Sequence, residues 1–141
     1  MTQGIYREVV LEHSRHPHNA GTLDAPSHRA RAANPLCGDE LEVTLLLTEG
    51  RVTAIRAAVR GCIIAQAGAS LMTTVVEGVA ESDVRAYANA FRAAFEDADS
   101  SLPAPLDSLS PLLELRHHTS RIGCALLSWQ ALERALTGDA Q

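Results

Sequence analysis

The sequence lacks lysine, long apolar runs and an even number of cysteines. All 12 basic residues are arginine, which excludes Schiff-base and P-loop chemistry because both need a lysine ammonium group. The three cysteines cannot close a disulfide framework, so a small secreted fold stapled by cystines is excluded. No apolar run approaches the roughly 20 residues that span a bilayer, and the start MTQGIYREVV does not have the pattern of a signal peptide. We therefore expect a cytoplasmic protein with no membrane partner, whose unpaired thiols favour metal or sulfur chemistry.

Aromatic residues and positive charge are also scarce. Phe, Trp and Tyr together contribute five residues of 141, which disfavours a surface that stacks on nucleic-acid bases. The net charge is −5 and the chain has no basic run, so nucleic acid is not an expected partner. The remaining composition, 46% hydrophobic and 21% charged, is that of an ordinary globular protein. We expect a single domain over residues 1–141 that builds its own core.

Hydrophobic periodicity predicts five helices separated by breaks at proline and glycine. Ser82 and Ser120 are the expected N-cap residues of two of these helices, because serine accepts hydrogen bonds from free amides at a helix start. The predicted helices cover residues 4–13, 63–79, a segment starting after Ser82, 112–117 and about 120–137.

Three short segments have the composition of β-strands. Glu49 and Gly50 lie between the second and third of them, which predicts a hairpin. Strict alternation in the third strand would place Val52 with Ala54 on one face and Ile55 on the other. The predicted strands cover residues 28–34, 40–48 and 51–60.

An acidic stretch rich in proline and serine, EDADSSLPAPLDSLSP, occupies residues 96–111. A domain linker would have this composition, but too little chain follows it to form a second core. We therefore expect a surface connection that contains at most one short turn of helix.

The cysteines occur where predicted elements begin or end. Cys37 lies in the loop sequence NPLCGDE, where Gly38 lets the backbone turn so that the Cys37 thiol and the Asp39 carboxylate can face one point. Cys62 lies between a predicted strand and a predicted helix, and Cys124 is expected in the first turn of the last helix. Helix N-termini stabilise thiolates, which bind metals and attack sulfur.

The spacing of these residues leaves two interpretations open. A free cysteine is often a small buried hydrophobe, and intervals of 25 and 62 residues match no standard zinc finger. Three thiols and the Asp39 carboxylate nevertheless make four ligands, the number that tetrahedral zinc takes. His117 and His118 lie six or seven positions before Cys124, close enough in sequence to enter the same site. A solvated position at the surface is the alternative for both histidines.

The segments around the cysteines resemble a known family. The sequences NPLCGDE, RGCIIAQAGASLMT and RIGCALLSWQALE, together with the opening YREVVLEHSRHPHNAG, are similar to iron–sulfur cluster assembly proteins of the SufU, IscU and NifU N-terminal family. The resemblance covers roughly residues 5–136 and is strongest for the SufU branch, which has an insertion between its second and third cysteines. Gly123 stands where IscU proteins carry a histidine, and RHHTSRIG replaces their chaperone-docking motif.

The resemblance implies a fold, a metal and a set of ligands. The fold is α+β, a small three-stranded antiparallel sheet packed with about five helices. Cys37, Asp39, Cys62 and Cys124 would bind one Zn²⁺, leaving the site with a charge of −2. Arg121, three residues before Cys124, would offset that charge and help to dock a partner; a solvated surface arginine is the alternative. Asp39 could also serve only to stabilise its turn.

The resemblance also implies a function. A pyridoxal-phosphate-dependent cysteine desulfurase would donate persulfide sulfur to Cys37, after a histidine of the desulfurase replaces Cys37 on zinc. The sulfur would then pass to a downstream iron–sulfur scaffold. The protein would act as a sulfurtransferase-like accessory of the desulfurase rather than as a stand-alone enzyme.

Three other hypotheses compete with sulfur acceptance. The same ligands could assemble an iron–sulfur cluster, since thiolates suit both iron–sulfur clusters and zinc. A purely structural zinc site would be closed, and its domain would unfold when the metal is chelated. A Cys/His hydrolase fits worst, because no general base oriented by a third group can be identified in the sequence.

Overall fold

The computed structural model describes residues 2–97 and 99–138. The described α-helices are α1 (Thr2–Arg15), α2 (Ile63–Val76), α3 (Glu81–Ala94), α4 (Ser110–Leu113) and α5 (Thr119–Thr137). The described strands are β1 (His28–Asn34), β2 (Asp39–Thr48) and β3 (Arg51–Arg60). The α+β class with a three-stranded antiparallel sheet and five helices is confirmed. None of these helices is long and apolar enough to cross a membrane.

The sheet has the order β1-β2-β3, so β2 pairs with both neighbours. Glu49 and Gly50 form the predicted hairpin turn, with φ of 53° and 80°, the positive values that a type I′ turn requires. The expectation of strict alternation in β3 was wrong. The register shifts after Leu46, and this bulge places both Val52 and Ile55 in the core, at 0% and 1% exposure.

Two predicted N-caps were wrong. Ala80 and His118 take those positions for α3 and α5, and neither makes a side-chain cap hydrogen bond. The start of α3 is fixed by the sheet hairpin instead, because the Glu81 amide donates to the Gly50 carbonyl at 2.8 Å. Ser82 and Ser120 therefore lie inside the first turns of their helices.

The acidic segment is not a simple surface connection. A 3₁₀ turn over Leu106–Leu109 leads into α4, and a second one over Glu114–His117 follows it. Leu102, Leu106 and Leu109 are at most 7% exposed and belong to the main core. The expected short turn of helix is present, but the burial of these leucines corrects the prediction for the segment.

Helices α2 and α5 pack closely and bring two cysteines together. The apolar residues Ile64, Ala67, Leu71 and Val75 are buried and lie on one face of α2. A β-carbon at Gly68 would lie 3.5 Å from the carbonyl oxygen of Ala125 on α5, and the Ser128 hydroxyl donates to the Gly68 carbonyl at 3.5 Å. This packing fixes the start of α2, beside Cys62, relative to the part of α5 that carries Cys124.

Candidate metal centre

Cys37 lies in the turn that joins β1 to β2. The amides of Cys37 and Gly38 both donate to the Asn34 carbonyl, at 3.1 and 2.9 Å. Gly38 has φ of 73°, so the turn requires a residue that tolerates the left-handed region. Cys37 is exposed, and its thiol is held on a surface turn as the sequence predicts.

Asp39 opens β2 beneath this turn and is 2% exposed. One carboxylate oxygen, Oδ1, accepts a hydrogen bond from the backbone amide of Cys62 at 2.8 Å, and Oδ2 lies 3.5 Å from the Cys62 Sγ. Cys62 is the N-cap residue of α2, as expected from its place before that helix. Asp39 therefore links the turn to the start of α2. The Cys62 amide is the hydrogen-bond donor that this buried carboxylate needs.

Cys124 is placed differently from the expectation. Helix α5 begins at Thr119, so Cys124 lies in its second turn, where it is 1% exposed and part of the core. Its Sγ is 3.0 Å from the Cys37 Sγ. Burial raises the pKa of the Cys124 thiol, and hydrogen bonds to Cys37 and Asp39 raise it further. Without a metal this group is a thiol rather than a thiolate.

These side chains form a compact donor set. The ligand atoms of Cys37, Asp39 and Cys124 all lie within 4.8 Å of one another, and Cys62 adjoins them through Asp39. Zinc bonds thiolates at about 2.3 Å, which keeps any two ligand atoms within roughly twice that distance. The spacing of Cys37, Asp39 and Cys124 and their sulfur-rich chemistry therefore fit a single metal ion, whereas the Cys62 Sγ lies outside this group of three and contacts it at the Asp39 Oδ2.

Asn34, which the sequence analysis did not single out, also contacts this site. Its side-chain Nδ2 lies 3.7 Å from the Cys37 Sγ and 3.6 Å from the Cys124 Sγ. The Asn-Pro pair at the start of NPLCGDE is a turn signal that could have drawn attention to it.

Two glycines leave room for these polar groups. A β-carbon at Gly61 would lie 2.8 Å from the Asp39 Cγ, and one at Gly123 would lie 2.9 Å from the Asn34 Nδ2. Both distances are shorter than packed atoms allow. The site therefore depends on the absence of side chains at these positions as well as on its ligands.

Arg121 in the first turn of α5 is exposed, as are His117 and His118 just before this helix. Arg121 and His118 line a groove of about 980 Å³, together with apolar residues such as Ile63 and Leu115. Within the described residues, neither histidine joins the compact donor set, and the Arg121 side chain has no hydrogen bond or ion pair. Arg121 is thus available to an external partner on this side of the molecule.

Comparison with known proteins identifies the family. The NifU-like N-terminal domain matches residues 5–105. The chain is 31% identical over 136 residues to the iron–sulfur cluster assembly scaffold protein IscU of Streptococcus pyogenes serotype M1, covering 96% of this chain and 85% of that protein. It is 30% identical over 135 residues to the zinc-dependent sulfurtransferase SufU of Bacillus subtilis (strain 168), covering 96% and 91%.

A solved structure shares the fold. The N-terminal NifU-like protein from Brucella abortus superposes with a TM-score of 0.87 at 24% identity, covering 94% of this chain and 92% of that one. The family match and the two relatives show that the chain belongs to the NifU-like N-terminal domain family, the IscU/SufU family of iron–sulfur cluster assembly proteins.

Proposed function

We propose that this protein is a zinc-dependent sulfur acceptor that works with a pyridoxal-phosphate-dependent cysteine desulfurase. One observation carries the proposal: the candidate ligands differ in accessibility. Cys37 is exposed on a turn, Cys62 is half-buried, and Asp39 and Cys124 are buried on β2 and α5. A partner can reach the first thiol while the other ligands remain fixed in the fold.

The proposed ligands of zinc are Cys37, Asp39, Cys62 and Cys124. Thiolate and carboxylate ligands in a set of four are typical of zinc sites in proteins. When bound, zinc holds its thiol ligands as thiolates at neutral pH. The protein supplies the rest: the Cys62 amide orients Asp39, and the α2–α5 packing holds Cys62 and Cys124 in place.

The proposed transfer is a thiol–disulfide exchange at Cys37. Once Cys37 has left the ligand set, its thiolate attacks the outer sulfur of the persulfide on the desulfurase. A sulfur–sulfur bond forms at Cys37, the sulfur–sulfur bond of the donor breaks, and the donor cysteine leaves as a thiolate. Cys37 then carries the persulfide and passes its outer sulfur to a downstream iron–sulfur scaffold.

Arg121 is the proposed docking residue. Three thiolates and one carboxylate carry four negative charges against the two positive charges of zinc, so a nearby cation is favourable. Arg121 is exposed beside the apolar groove, at the start of the helix that carries Cys124. Its guanidinium group can meet a carboxylate of the desulfurase in a bidentate contact.

The test mixes purified protein with a cysteine desulfurase and cysteine. We expect Cys37→Ala to abolish stimulation of sulfide release and to remove the mass gain of one sulfur atom from the protein. We expect Arg121→Ala to raise the protein concentration needed for half-maximal stimulation, whereas Arg15→Ala, at an exposed arginine on α1, leaves it unchanged. Full stimulation by the Cys37→Ala variant would refute the acceptor role.

A cluster scaffold is the second candidate, favoured by the relative that is named as a scaffold at 31% identity. The same thiolates would then hold iron and sulfide. Anaerobic reconstitution distinguishes the two functions. Stoichiometric iron and labile sulfide, visible absorbance and transfer to an apo-acceptor would support the scaffold, whereas one tightly held zinc and no transferable cluster would support the sulfur acceptor.

A further inference from the structure

We propose that Asn34 is a positioning residue of the metal centre, whose side-chain amide donates hydrogen bonds to two ligand sulfurs at once. The inference rests on the proposed metal site and adds a residue outside its ligand set. The Asn34 Nδ2 lies 3.7 Å from the Cys37 Sγ and 3.6 Å from the Cys124 Sγ. Because sulfur is larger than oxygen, these distances are suitable for N–H···S hydrogen bonds.

The orientation of the Asn34 amide is fixed by its other contacts. Its side-chain oxygen Oδ1 accepts a hydrogen bond from the Leu36 amide at 3.2 Å, so the NH₂ group must be the one that faces the sulfurs. Its backbone carbonyl accepts from Cys37 and Gly38. Asn34 is 9% exposed, so water competes little for the amide.

The Asn34 amide also matches the two ligand sulfurs in the number of its donors and in the charge that it can offset. The amide has two N–H donors, and the two sulfurs that it faces lie 3.0 Å apart. Among the described residues, no arginine is hydrogen-bonded to either sulfur. When a metal is bound, the Asn34 amide would therefore withdraw charge directly from two of the thiolates, which stabilises an anionic ligand set.

Gly123 gives the Asn34 amide its space. A β-carbon at position 123 would lie 2.9 Å from Nδ2 and 3.5 Å from Cγ of Asn34. Any side chain at this position of α5 would push the amide away from Cys124, the next residue in the chain. Asn34 and Gly123 therefore act as a pair, one supplying the donors and the other the room.

Zinc affinity of full-length variants, measured by competition with a chromophoric chelator, tests the proposal. Asn34→Ala removes the N–H donors and the acceptor for Leu36, while Asn34→Asp keeps that acceptor but turns an anionic oxygen toward the sulfurs. We expect affinity to fall roughly 10- to 100-fold for Asn34→Ala, and further for Asn34→Asp. If Asn34 only held the turn, Asn34→Asp would bind zinc as wild type does; equal or tighter binding by this variant overturns the proposal.

Cobalt substitution supplies a readout of the sulfurs themselves. We expect the sulfur-to-cobalt charge-transfer band to move to lower energy in both Asn34 variants, because unbonded thiolates give up electrons more readily. An unchanged band in both variants would overturn the proposal even if the affinity falls. A wild-type protein that binds neither zinc nor cobalt would refute the metal site itself, and the inference with it.

Gly123→Ala separates metal binding from folding. Alanine is a better helix former than glycine, which favours folding, yet the new methyl displaces the Asn34 amide. We expect Gly123→Ala to lower zinc affinity in the wild type and to have little further effect in Asn34→Ala. Equal losses in both backgrounds would show that Gly123 acts independently of Asn34 and would overturn the pairing.

Discussion

At the residue scale, the candidate centre depends on space as much as on ligands. Gly61 lies directly before Cys62, and the Asp39 carboxylate occupies the volume that a side chain at Gly61 would need. That carboxylate accepts the hydrogen bond from the Cys62 amide. A single methyl group at position 61 would thus disturb the connection between two proposed ligands.

We expect Gly61→Ala to weaken both the fold and the metal site. The added β-carbon forces Asp39 away from the Cys62 amide and leaves a buried carboxylate without that donor. Strained small-to-large changes cost about 1–3 kcal/mol. Chemical denaturation should show a loss of unfolding free energy in this range, and chelator competition should show weaker zinc binding.

Gly78→Ala is the matched control. Gly78 has φ of 85°, and a β-carbon added there would have no neighbouring atom within 4 Å, so the cost is backbone strain of about 1–2 kcal/mol. This variant should lose stability and keep its zinc affinity. If Gly61→Ala also keeps its zinc affinity, the space beside Asp39 has no role in the metal centre.

At the scale of elements, the segment before α4 shows how a misleading composition hides a core element. Leu102, Leu106 and Leu109 of this segment and Leu113 at the end of α4 follow helical spacing of four, three and four residues, and all four are buried. Pro103, Pro105 and Pro111 argue against a helix, so the sequence predicts a surface connection. In the structure a 3₁₀ turn followed by one short helix accommodates the prolines and still buries the leucines.

We expect Leu109→Ala to destabilise the protein by about 2–5 kcal/mol, the cost of a cavity left by a buried leucine. Leu109 is 0% exposed. Leu36→Ala, at a leucine that is 87% exposed, should change stability by less than about 0.5 kcal/mol. Thermal and denaturant unfolding measure the stability of both variants. If Leu109→Ala leaves the stability unchanged, the segment is a surface linker rather than part of the core.

At the scale of the whole molecule, the proposed ligands come from distant parts of the chain, and the main core is made mostly of other residues. Cys37, Asp39, Cys62 and Cys124 lie on a turn, a strand, a helix start and a helix. The core joins residues from α1, the sheet, α2, α3 and α5, and of these ligands it includes Cys124 as a fully buried member. The fold therefore has an apolar framework independent of metal coordination.

We expect removal of the metal to lower the melting temperature without unfolding the protein. A ligand at 100 times its dissociation constant adds about 2.7 kcal/mol to stability, which is lost on chelation, while the apolar core remains. Circular dichroism and thermal melts with and without a chelator measure this effect. Complete unfolding at room temperature would instead support a purely structural zinc site.

The sequence predicts those parts of the site that depend on neighbouring residues, but not those that depend on contacts between distant parts of the chain. The turn at Cys37 and the N-cap at Cys62 follow from glycine, proline and the change of hydrophobic period, which are local features. The burial of Cys124 cannot be predicted from such local features. It depends on where α5 starts, and no side-chain cap in the sequence marks that start. The contact between Asn34 and Cys124 joins residues 90 positions apart, so only the folded chain reveals it.

The turn that carries Cys37 bears on how mutations that stabilise the core would affect the candidate site. The backbone amides of Cys37 and Gly38 hold the turn to Asn34, and we expect these bonds to break locally while the sheet and helices stay intact. Mutations that reinforce the core would raise global stability without slowing this opening. We therefore expect the usual trade-off between stability and activity to be relaxed, so that mutations in the core give thermostable variants with the proposed sulfur transfer unchanged.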